Sequence, residues 1–358
     1  MSFEEILGQK RAVRVLTREL AANSVPHAYL FYGAEGLGKF KTSLVLAQAL
    51  LCKDREGDSC GVCSACTRVA RENHPDVIVV RPESRKGPKE WIVDPELGTI
   101  RIEQIREFQR WISVRSFEGG WKVGVFEGAD KMNTQASNAL LKTLEEPPPA
   151  SLLILISPTR GQLLSTIVSR CQPVYFAPLP EEELEAFLAG RREVPEEGLS
   201  LVSALSGGSP GKALQIDSHW VAEVRREWID RLRAFLDAGV SEGALIGFAE
   251  DLIHSGHLLE VLDLYESWYR DLLMYRIESA DRIVNRDYME AIAGIAGELD
   301  MTETISRIDS IRKARRDIQG PFNLNKQMVM EGLLLKLCGN GGTGLEGLGT
   351  PGFPPSRE

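Results

Sequence analysis

The chain has 358 residues, of which 43% are hydrophobic, and a formal net charge of -9. This length exceeds what a single core normally supports, so we expect two or three globular domains, and the hydrophobic content excludes a disordered chain. The acidic balance argues against a freestanding nucleic-acid binder, because affinity for phosphate backbones comes from excess lysine and arginine.

The amino-terminal residues, MSFEE, are acidic and contain no basic region followed by an apolar run, so we expect no secretory signal. No apolar stretch of the sequence reaches the length of a membrane span. We therefore expect a cytoplasmic protein without membrane contact. In that reducing compartment, clustered cysteines hold a metal more often than they form disulfides.

Strand and helix patterns alternate through the first half of the chain. After a helical segment at 6–22, the apolar run 28–32 predicts a buried strand that leads into a glycine-rich loop and a helix at 42–51. Further along, the patterns predict strands at 77–80, 122–126 and 152–156 and helices at 102–114 and 134–144. Alternating strands and helices indicate a parallel sheet covered by helices on both faces.

From residue 179 onward the patterns are helical only. A small helical group extends to residue 217, and long amphipathic segments follow from 218 to 338. Among the last twenty residues, 339–358, ten are glycine or proline, so we expect this tail to be disordered.

The glycine-rich stretch GAEGLGKF nearly matches the phosphate-binding motif G-x-x-x-x-G-K-[ST]. Gly33, Gly38 and Lys39 fit, because the glycines let backbone amides approach phosphate and the lysine reaches the terminal phosphates. Phe40 stands where the motif needs a hydroxyl to ligate magnesium. Thr42 cannot replace that hydroxyl, since two residues along a helix rotate a side chain by about 200°. A plain glycine-rich turn is the alternative, disfavoured by the strand and helix on either side.

The acidic pair that such a site requires is also incomplete. Strand 122–126 is followed by Glu127, which can serve a metal, and by Gly128, at the position where a carboxylate would activate the attacking water. Asp130 lies further on, and we expect it to be a turn or helix-entry residue. Two defects in one site predict that hydrolysis is lost, while binding of ATP or ADP remains open.

Four closely spaced cysteines predict a metal site. They follow the helix of the glycine-rich loop, at Cys52, Cys60, Cys63 and Cys66. Four thiols suit tetrahedral zinc, and because they fill every coordination position, the predicted zinc is structural. Four accidental or buried cysteines are the alternative. Cys171 and Cys338 lie far away in the sequence, and we assign them to the core.

Further motifs complete the pattern. They are FEEILGQ at 3–9, HAYLF at 27–31, NALLKTLEEPP at 138–148, SRC at 169–171 and GSPGKAL at 208–214. With these motifs and the cysteine module, the chain resembles the AAA+ subunits of the bacterial DNA polymerase III clamp loader. The resemblance extends from about residue 3 to residue 337 and leaves out only the tail.

The resemblance implies three domains and a set of partners. An α/β AAA+ domain of the P-loop type covers 1–178 with the zinc module at about 52–66, a small helical lid covers 179–217, and an all-α oligomerisation collar covers 218–338. Such subunits form rings of five that contain ATP-hydrolysing gamma or tau subunits and a delta subunit. Through that assembly within the DNA polymerase III holoenzyme, the implied partners include the sliding clamp and primed DNA.

The resemblance also implies a role for Arg170. In such rings, the arginine of the SRC motif reaches into the ATP site of the neighbouring subunit, where a guanidinium makes forked contacts with phosphate oxygens. A salt-bridged surface arginine is the alternative. In hydrolysing members the lid carries an arginine directed at the nucleotide, whereas this chain has Gly211 at that position, next to Lys212.

These features favour a rigid scaffold that hydrolyses no ATP itself and donates Arg170 to a neighbour during clamp loading. The alternative is an active ATPase of the gamma or tau type that tolerates Phe40. A zinc-dependent nucleic-acid binder is a third class, which the net charge of -9 disfavours.

Overall fold

The computed structural model describes residues 1–54, 57–86, 90–95, 97–118, 120–191, 199–216, 224–237, 241–319 and 324–338. The chain divides into two compact units, Met1–Asp217 and Ser218–Glu358. The tail 339–358, which we predict to be disordered, lies outside the described residues. Within the described ranges, every helix is too short or too polar to cross a lipid bilayer.

The first unit is built on a five-stranded sheet in which all neighbouring strands are parallel, in the order β2-β5-β6-β1-β7. Its strands are β1 (Ala28–Tyr32), β2 (Val77–Val80), β5 (Lys122–Phe126), β6 (Ser151–Ser157) and β7 (Gln172–Tyr175). A separate antiparallel hairpin consists of β3 (Glu83–Arg85) and β4 (Trp91–Val93). The parallel α/β fold is confirmed, whereas the hairpin was not predicted.

Helices cover the sheet on both faces. One core contains residues of α1 (Lys10–Ala21), α2 (Lys39–Leu51) and α3 (Ser64–Ala70), and the other contains residues of α4 (Ile102–Ile112), α5 (Thr134–Glu145) and α6 (Ser165–Val168). Three further helices follow the last strand: α7 (Glu181–Ala189), α8 (Leu199–Leu205) and α9 (Pro210–Ala213). Alternate residues of β1 enter two different cores: Tyr29 and Phe31 pack in one, Ala28 and Leu30 in the other. Burial of both faces explains why this strand is continuously apolar rather than alternating.

Parallel strands bring the loops after their carboxyl ends to one edge of the sheet. The glycine-rich loop follows β1 at this edge, Arg81 follows β2, and Glu127 follows β5. The helix after the loop begins at Lys39, three positions earlier than the start at Thr42 that the apolar pattern predicts. The lysine therefore lies in the first helical turn, as a phosphate-binding loop requires.

The second unit is entirely helical in its described residues. Its helices are α10 (Arg225–Asp237), α11 (Glu242–His254), α12 (Leu258–Arg276), α13 (Met289–Glu298), α14 (Met301–Gln319) and α15 (Lys326–Cys338). The side chain of Arg225 is only 1% exposed and donates to both carboxylate oxygens of Asp287, each at 2.8 Å. Asn285 accepts a further bond from Arg225 at 2.6 Å. Burial alone would raise the pKa of Asp287, but Arg225 lowers it below its ordinary value.

We expect Asp287→Asn to lower the free energy of unfolding by about 1–2 kcal/mol at pH 7, because it leaves the buried guanidinium of Arg225 without its charge partner, while the 41% exposure of Asp287 lets solvent screen the pair. The folded-state pKa of Asp287 is depressed, so the pair stabilises the chain above the unfolded pKa and loses this effect as pH falls through the folded value. Urea denaturation at pH 7 and below about pH 4 should therefore show the difference between wild type and variant shrinking with acid.

A matched control is Asp309→Asn, which removes a pair with Arg312 at 3.9 Å where both side chains are more than half exposed. This change should cost less than about 0.5 kcal/mol, as expected for a surface ion pair. Equal losses from both variants would contradict the importance of the pair between Arg225 and Asp287.

Candidate functional site

The glycine-rich loop adopts a conformation that depends on its glycines. Gly33 has a φ of +144°, and a Cβ there would lie 2.2 Å from the carbonyl oxygen of Phe176. Gly38 has a φ of 85° and caps the amino end of α2. Lys39 is buried, and its ammonium donates to the loop carbonyls of Gly33 and Ala34. Gly33, Gly38 and Lys39 are thus arranged as in a phosphate-binding loop, with the lysine bonded to the loop itself.

The loop forms one wall of a cleft of about 580 Å³ at the carboxyl edge of the sheet. Burial lowers the pKa of Lys39 to about 8, against the charges of Glu35 and Asp130, which raise it. Thr42 is not among the residues that line the cleft. Its hydroxyl donates to the carbonyl of Gly38 at 2.8 Å within α2, as the helical rotation predicts.

An arginine occupies the region where the motif would place magnesium ligands. The guanidinium of Arg81 lies 5.0 Å from the ring centroid of Phe40. Its Nε donates to Glu127 at 2.7 Å, and its two Nη atoms donate to Glu72 at 2.7 and 3.0 Å. These bonds, with that to Glu72 contributing most, raise the pKa of Arg81. The carboxylate predicted to serve a metal is therefore paired with a fixed cation of the protein.

Sequence reasoning missed Arg81, although a signal was present. Arg81 immediately follows β2 just as Glu127 immediately follows β5, and these two strands are neighbours in the sheet. Two residues that follow adjacent parallel strands lie at the same edge, so their pairing depends on strand order, which the sequence does not state.

The position after Glu127 offers no carboxylate. Gly128 has a φ of +72°, and a Cβ there would lie 3.0 Å from Pro82. Asp130 lies in a short 3-10 turn, as expected, but it also lines the cleft. Burial raises the pKa of Asp130, and one of its oxygens has no hydrogen-bond partner among the described residues.

Helix α9, from the segment expected to form the lid, contacts the glycine-rich loop directly. The amide of Gly211 donates to the carbonyl of Gly36 at 2.9 Å, and the hydroxyl of Ser209 donates to the carbonyl of Glu35 at 2.8 Å. A Cβ at Gly211 would lie 2.7 Å from the Cα of Gly36. An arginine at this position would therefore require the helix to move. Lys212 is exposed and is not among the cleft-lining residues.

Arg170 lies at the other edge of the sheet. It precedes β7, whose first residue Gln172 pairs with Tyr29 near the start of β1, whereas the glycine-rich loop follows the end of β1. A strand of five residues spans roughly 15 Å, so Arg170 cannot reach the cleft of its own chain. Its Nη1 donates to the carbonyl of Thr166 at 2.9 Å, and its Nη2 donates to Glu145 at 2.7 Å.

The four predicted metal-binding cysteines converge. The sulfur atoms of Cys52, Cys60, Cys63 and Cys66 all lie within 4.8 Å of one another. The sulfurs of Cys60 and Cys66 are 3.9 Å apart, and tetrahedral zinc with Zn–S bonds of about 2.3 Å requires sulfurs about 3.8 Å apart. The arrangement therefore fits a tetrahedral metal ion.

Backbone amides donate to two of these sulfurs. Cys63 N–H approaches the sulfur of Cys60 at 3.3 Å, and Cys66 N–H approaches that of Cys63 at 3.5 Å. The backbone of Val62, followed by that of Cys63, lowers the pKa of Cys60 to about 7, whereas burial raises the pKa of Cys66. The thiolate is the form that ligates metals, so Cys60 is the sulfur whose surroundings most favour binding an ion.

Comparisons with known proteins agree with the motifs. Two family models match: "DNA polymerase III, delta subunit" over residues 8–180 and "DNA polymerase III, delta subunit, C terminal" over residues 225–338. The chain is 31% identical to DNA polymerase III subunit delta' of Pseudomonas aeruginosa, covering 89% of this chain and 93% of that protein. It is 28% identical to subunit delta' of Bacillus subtilis, covering 92% and 96%.

Gamma/tau proteins are similar over a smaller part of their length. Identity to DNA polymerase III subunit gamma/tau of Mycobacterium tuberculosis is 30%, over 70% of this chain and 43% of that protein. The delta' proteins therefore match nearly end to end, whereas the gamma/tau protein extends well beyond the aligned region. The resemblance that the motifs indicate is confirmed.

We expect carefully purified protein to contain about one zinc ion per chain by elemental analysis, because the four thiols match a closed tetrahedral site. Removing the metal with a chelator should lower the melting temperature. Cys63→Ser should reduce zinc content, whereas Cys338→Ser, outside the cluster, should leave it unchanged. A metal-free chain with an unaltered melting temperature would contradict this assignment.

Proposed function

The chain belongs to the family of DNA polymerase III delta' subunits, and from this premise we propose that it is a clamp-loader subunit that donates Arg170 to a neighbour's ATP site and hydrolyses no ATP itself. The claim that this chain hydrolyses no ATP rests on the cluster of Arg81, Glu127 and Phe40. A guanidinium bonded to Glu127, the carboxylate expected to serve a metal, and placed over the ring of Phe40 takes the place of magnesium and its hydroxyl ligand.

Phosphoryl transfer depends on a metal that bridges the terminal phosphate oxygens and on a group that orients the attacking water. Glu127 is engaged by Arg81, and Gly128 provides no side chain for the water. The bond between Gly211 and Gly36 holds the lid against the loop without an arginine directed at the cleft. Three separate requirements for hydrolysis are thus unmet in one cleft.

The position of Arg170 supports action on a neighbouring subunit. It is separated from its own cleft by the length of the sheet, and its side chain is 35% exposed. Two of its nitrogens are held by Glu145 and Thr166, which leaves further N–H donors for phosphate oxygens of another chain. We propose that the recipient is an ATP-hydrolysing gamma or tau subunit in a ring of five that also contains a delta subunit.

The helical unit carries a surface suited to such assembly. One side of α15 is buried through Met330, Leu333, Leu334 and Leu337. Met328 and Leu335 are 70% and 45% exposed and lie seven residues apart, hence on a common second side of the helix. We propose that 218–338 is the collar through which subunits associate, that 179–217 is the lid, and that zinc stabilises the module at 52–66.

The partners of this chain beyond the ring, and the place where it acts, follow from its membership of the loader. The loader acts on the sliding clamp and primed DNA, and this chain contributes to that work in the cytoplasm as a fixed member of the ring. The acidic balance of the chain is consistent with DNA contact being supplied largely by other subunits.

We expect the isolated chain to release no phosphate from ATP in the presence of magnesium above the rate seen with Lys39→Ala, because its cleft lacks a metal site and a water-activating carboxylate. Steady-state phosphate release should be measured at several protein concentrations for the wild type and for Lys39→Ala. Release by the wild type that Lys39→Ala abolishes would instead support an active ATPase of the gamma or tau type.

We expect Arg170→Ala to lower ATP turnover of the assembled loader by about 10-fold or more at the one site it completes, since such arginines stabilise transition-state charge. Folding of the chain should be unaffected. Lys142→Ala, which removes an exposed cation near the end of α5, should leave turnover unchanged. Unchanged turnover with Arg170→Ala would count against the proposed role.

A further inference from the structure

Glu145 occupies a sharply defined position at the end of α5. It is the last residue of this helix, and Glu146 and three successive prolines follow it. Proline fixes its own backbone and disfavours helix in the residue before it, so the chain cannot extend or refold the helix here. The backbone that carries the Glu145 carboxylate is therefore held at a set place.

The helix itself is anchored along its length. Leu140 and Leu144 are buried in the core beneath the sheet. The side chain of Gln109 on α4 donates to the carbonyl of Ala139 at 2.9 Å and to the hydroxyl of Thr143 at 3.1 Å. These contacts prevent α5 from rotating or sliding, and the orientation of its last turn is fixed with it.

The Glu145 carboxylate accepts a hydrogen bond from Arg170 Nη2 at 2.7 Å, across 25 positions of sequence. A carboxylate at the carboxyl end of a helix lies beside the negative end of the helix dipole, where a cation is favourable and an anion is not. Arg170 supplies that cation. Without Arg170, the negative charge of Glu145 beside the negative end of the helix dipole would destabilise the helix.

The guanidinium is held from one side only. Nη1 donates to the carbonyl of Thr166 at 2.9 Å and Nη2 donates to Glu145, while the arginine keeps Nε and the outward N–H groups for other acceptors. A long arginine side chain normally loses much rotational freedom when it engages a ligand. The bonds to Thr166 and Glu145 already restrict the rotation of the Arg170 side chain before it binds a phosphate.

We propose that Glu145 is the positioning residue for Arg170, holding the guanidinium in the orientation in which it meets the phosphate oxygens of a neighbour's ATP. This inference rests on the proposed function, because it assigns Glu145 a role only through Arg170. Small misplacements of a group that acts in a transition state reduce rates strongly, so loss of this contact should lower turnover without weakening ATP binding.

The test uses the full loader, assembled from this chain and the ATP-hydrolysing subunits of the same source, with clamp and primed DNA present. Glu145→Gln keeps the size and one acceptor oxygen but removes the charge. We expect kcat at the one ATP site that Arg170 completes to fall about 10-fold, with KM and the yield of assembled loader unchanged. Glu145→Asp, which keeps the charge on a shorter side chain, should retain an intermediate kcat.

Glu146→Gln is the matched control, since it makes the same change one residue away. Glu146 is exposed, and its side chain makes no hydrogen bond or ion pair among the described residues. It should leave kcat at the wild-type value. An equal loss in both variants would overturn the assignment, because it would show a general response to charge at this helix end.

A double variant separates the two proposals. With Arg170→Ala already present, adding Glu145→Gln should cause no further loss of kcat. An equal kcat for the single and the double variant supports the inference. If Arg170→Ala lowers kcat but Glu145→Gln leaves it unchanged or raises it, the positioning role is wrong and the proposed function stands. If Arg170→Ala has no effect, both fail. A loss from Glu145→Gln that persists beside Arg170→Ala overturns action through Arg170.

Discussion

The parallel orientation of all five strands gives the sheet two chemically different edges, and the rest of the first unit depends on that asymmetry. The carboxyl edge gathers the glycine-rich loop, Arg81 and Glu127, while Arg170 enters at the amino edge beside the start of β7. An antiparallel sheet would have mixed these groups. Because the edges are separate, Arg170 lies apart from the cleft of its own chain.

Several charges at the carboxyl edge are paired within the chain, although one oxygen of Asp130 has no hydrogen-bond partner among the described residues. Glu127 and Glu72 share the guanidinium of Arg81, and Lys39 bonds to loop carbonyls. In a hydrolysing subunit, carboxylates at this edge bind a metal ion that in turn contacts the nucleotide phosphates. The net charge of the site then changes as the nucleotide binds and reacts. Here Arg81 supplies a positive charge to Glu127 and Glu72 from within the fold.

Much of this arrangement was predictable from the sequence, and the reason lies in the local character of the motifs. The glycine-rich loop, the cysteine cluster and the parallel sheet are specified by residues close together in the chain. Arg81 with Glu127 and Arg170 with Glu145 are separated by 46 and 25 positions, so their pairing depends on strand order and helix packing. The β3–β4 hairpin was missed because its strands have only three residues each, too few to show a period.

Helix α5 connects the two edges of the sheet and sets the distance between the cleft and Arg170. Its twelve residues span about 18 Å, from Asn133 beside the cleft-lining residues Asp130 and Lys131 to Glu145 beside Arg170. The buried Leu140 and Leu144 and the bonds from Gln109 hold this helix along its length, so its two ends keep a constant separation. The cation at the amino edge is therefore positioned by the same packed helix that borders the cleft, which explains why Glu145 and Arg170, 25 positions apart in sequence, meet at one defined place in the fold.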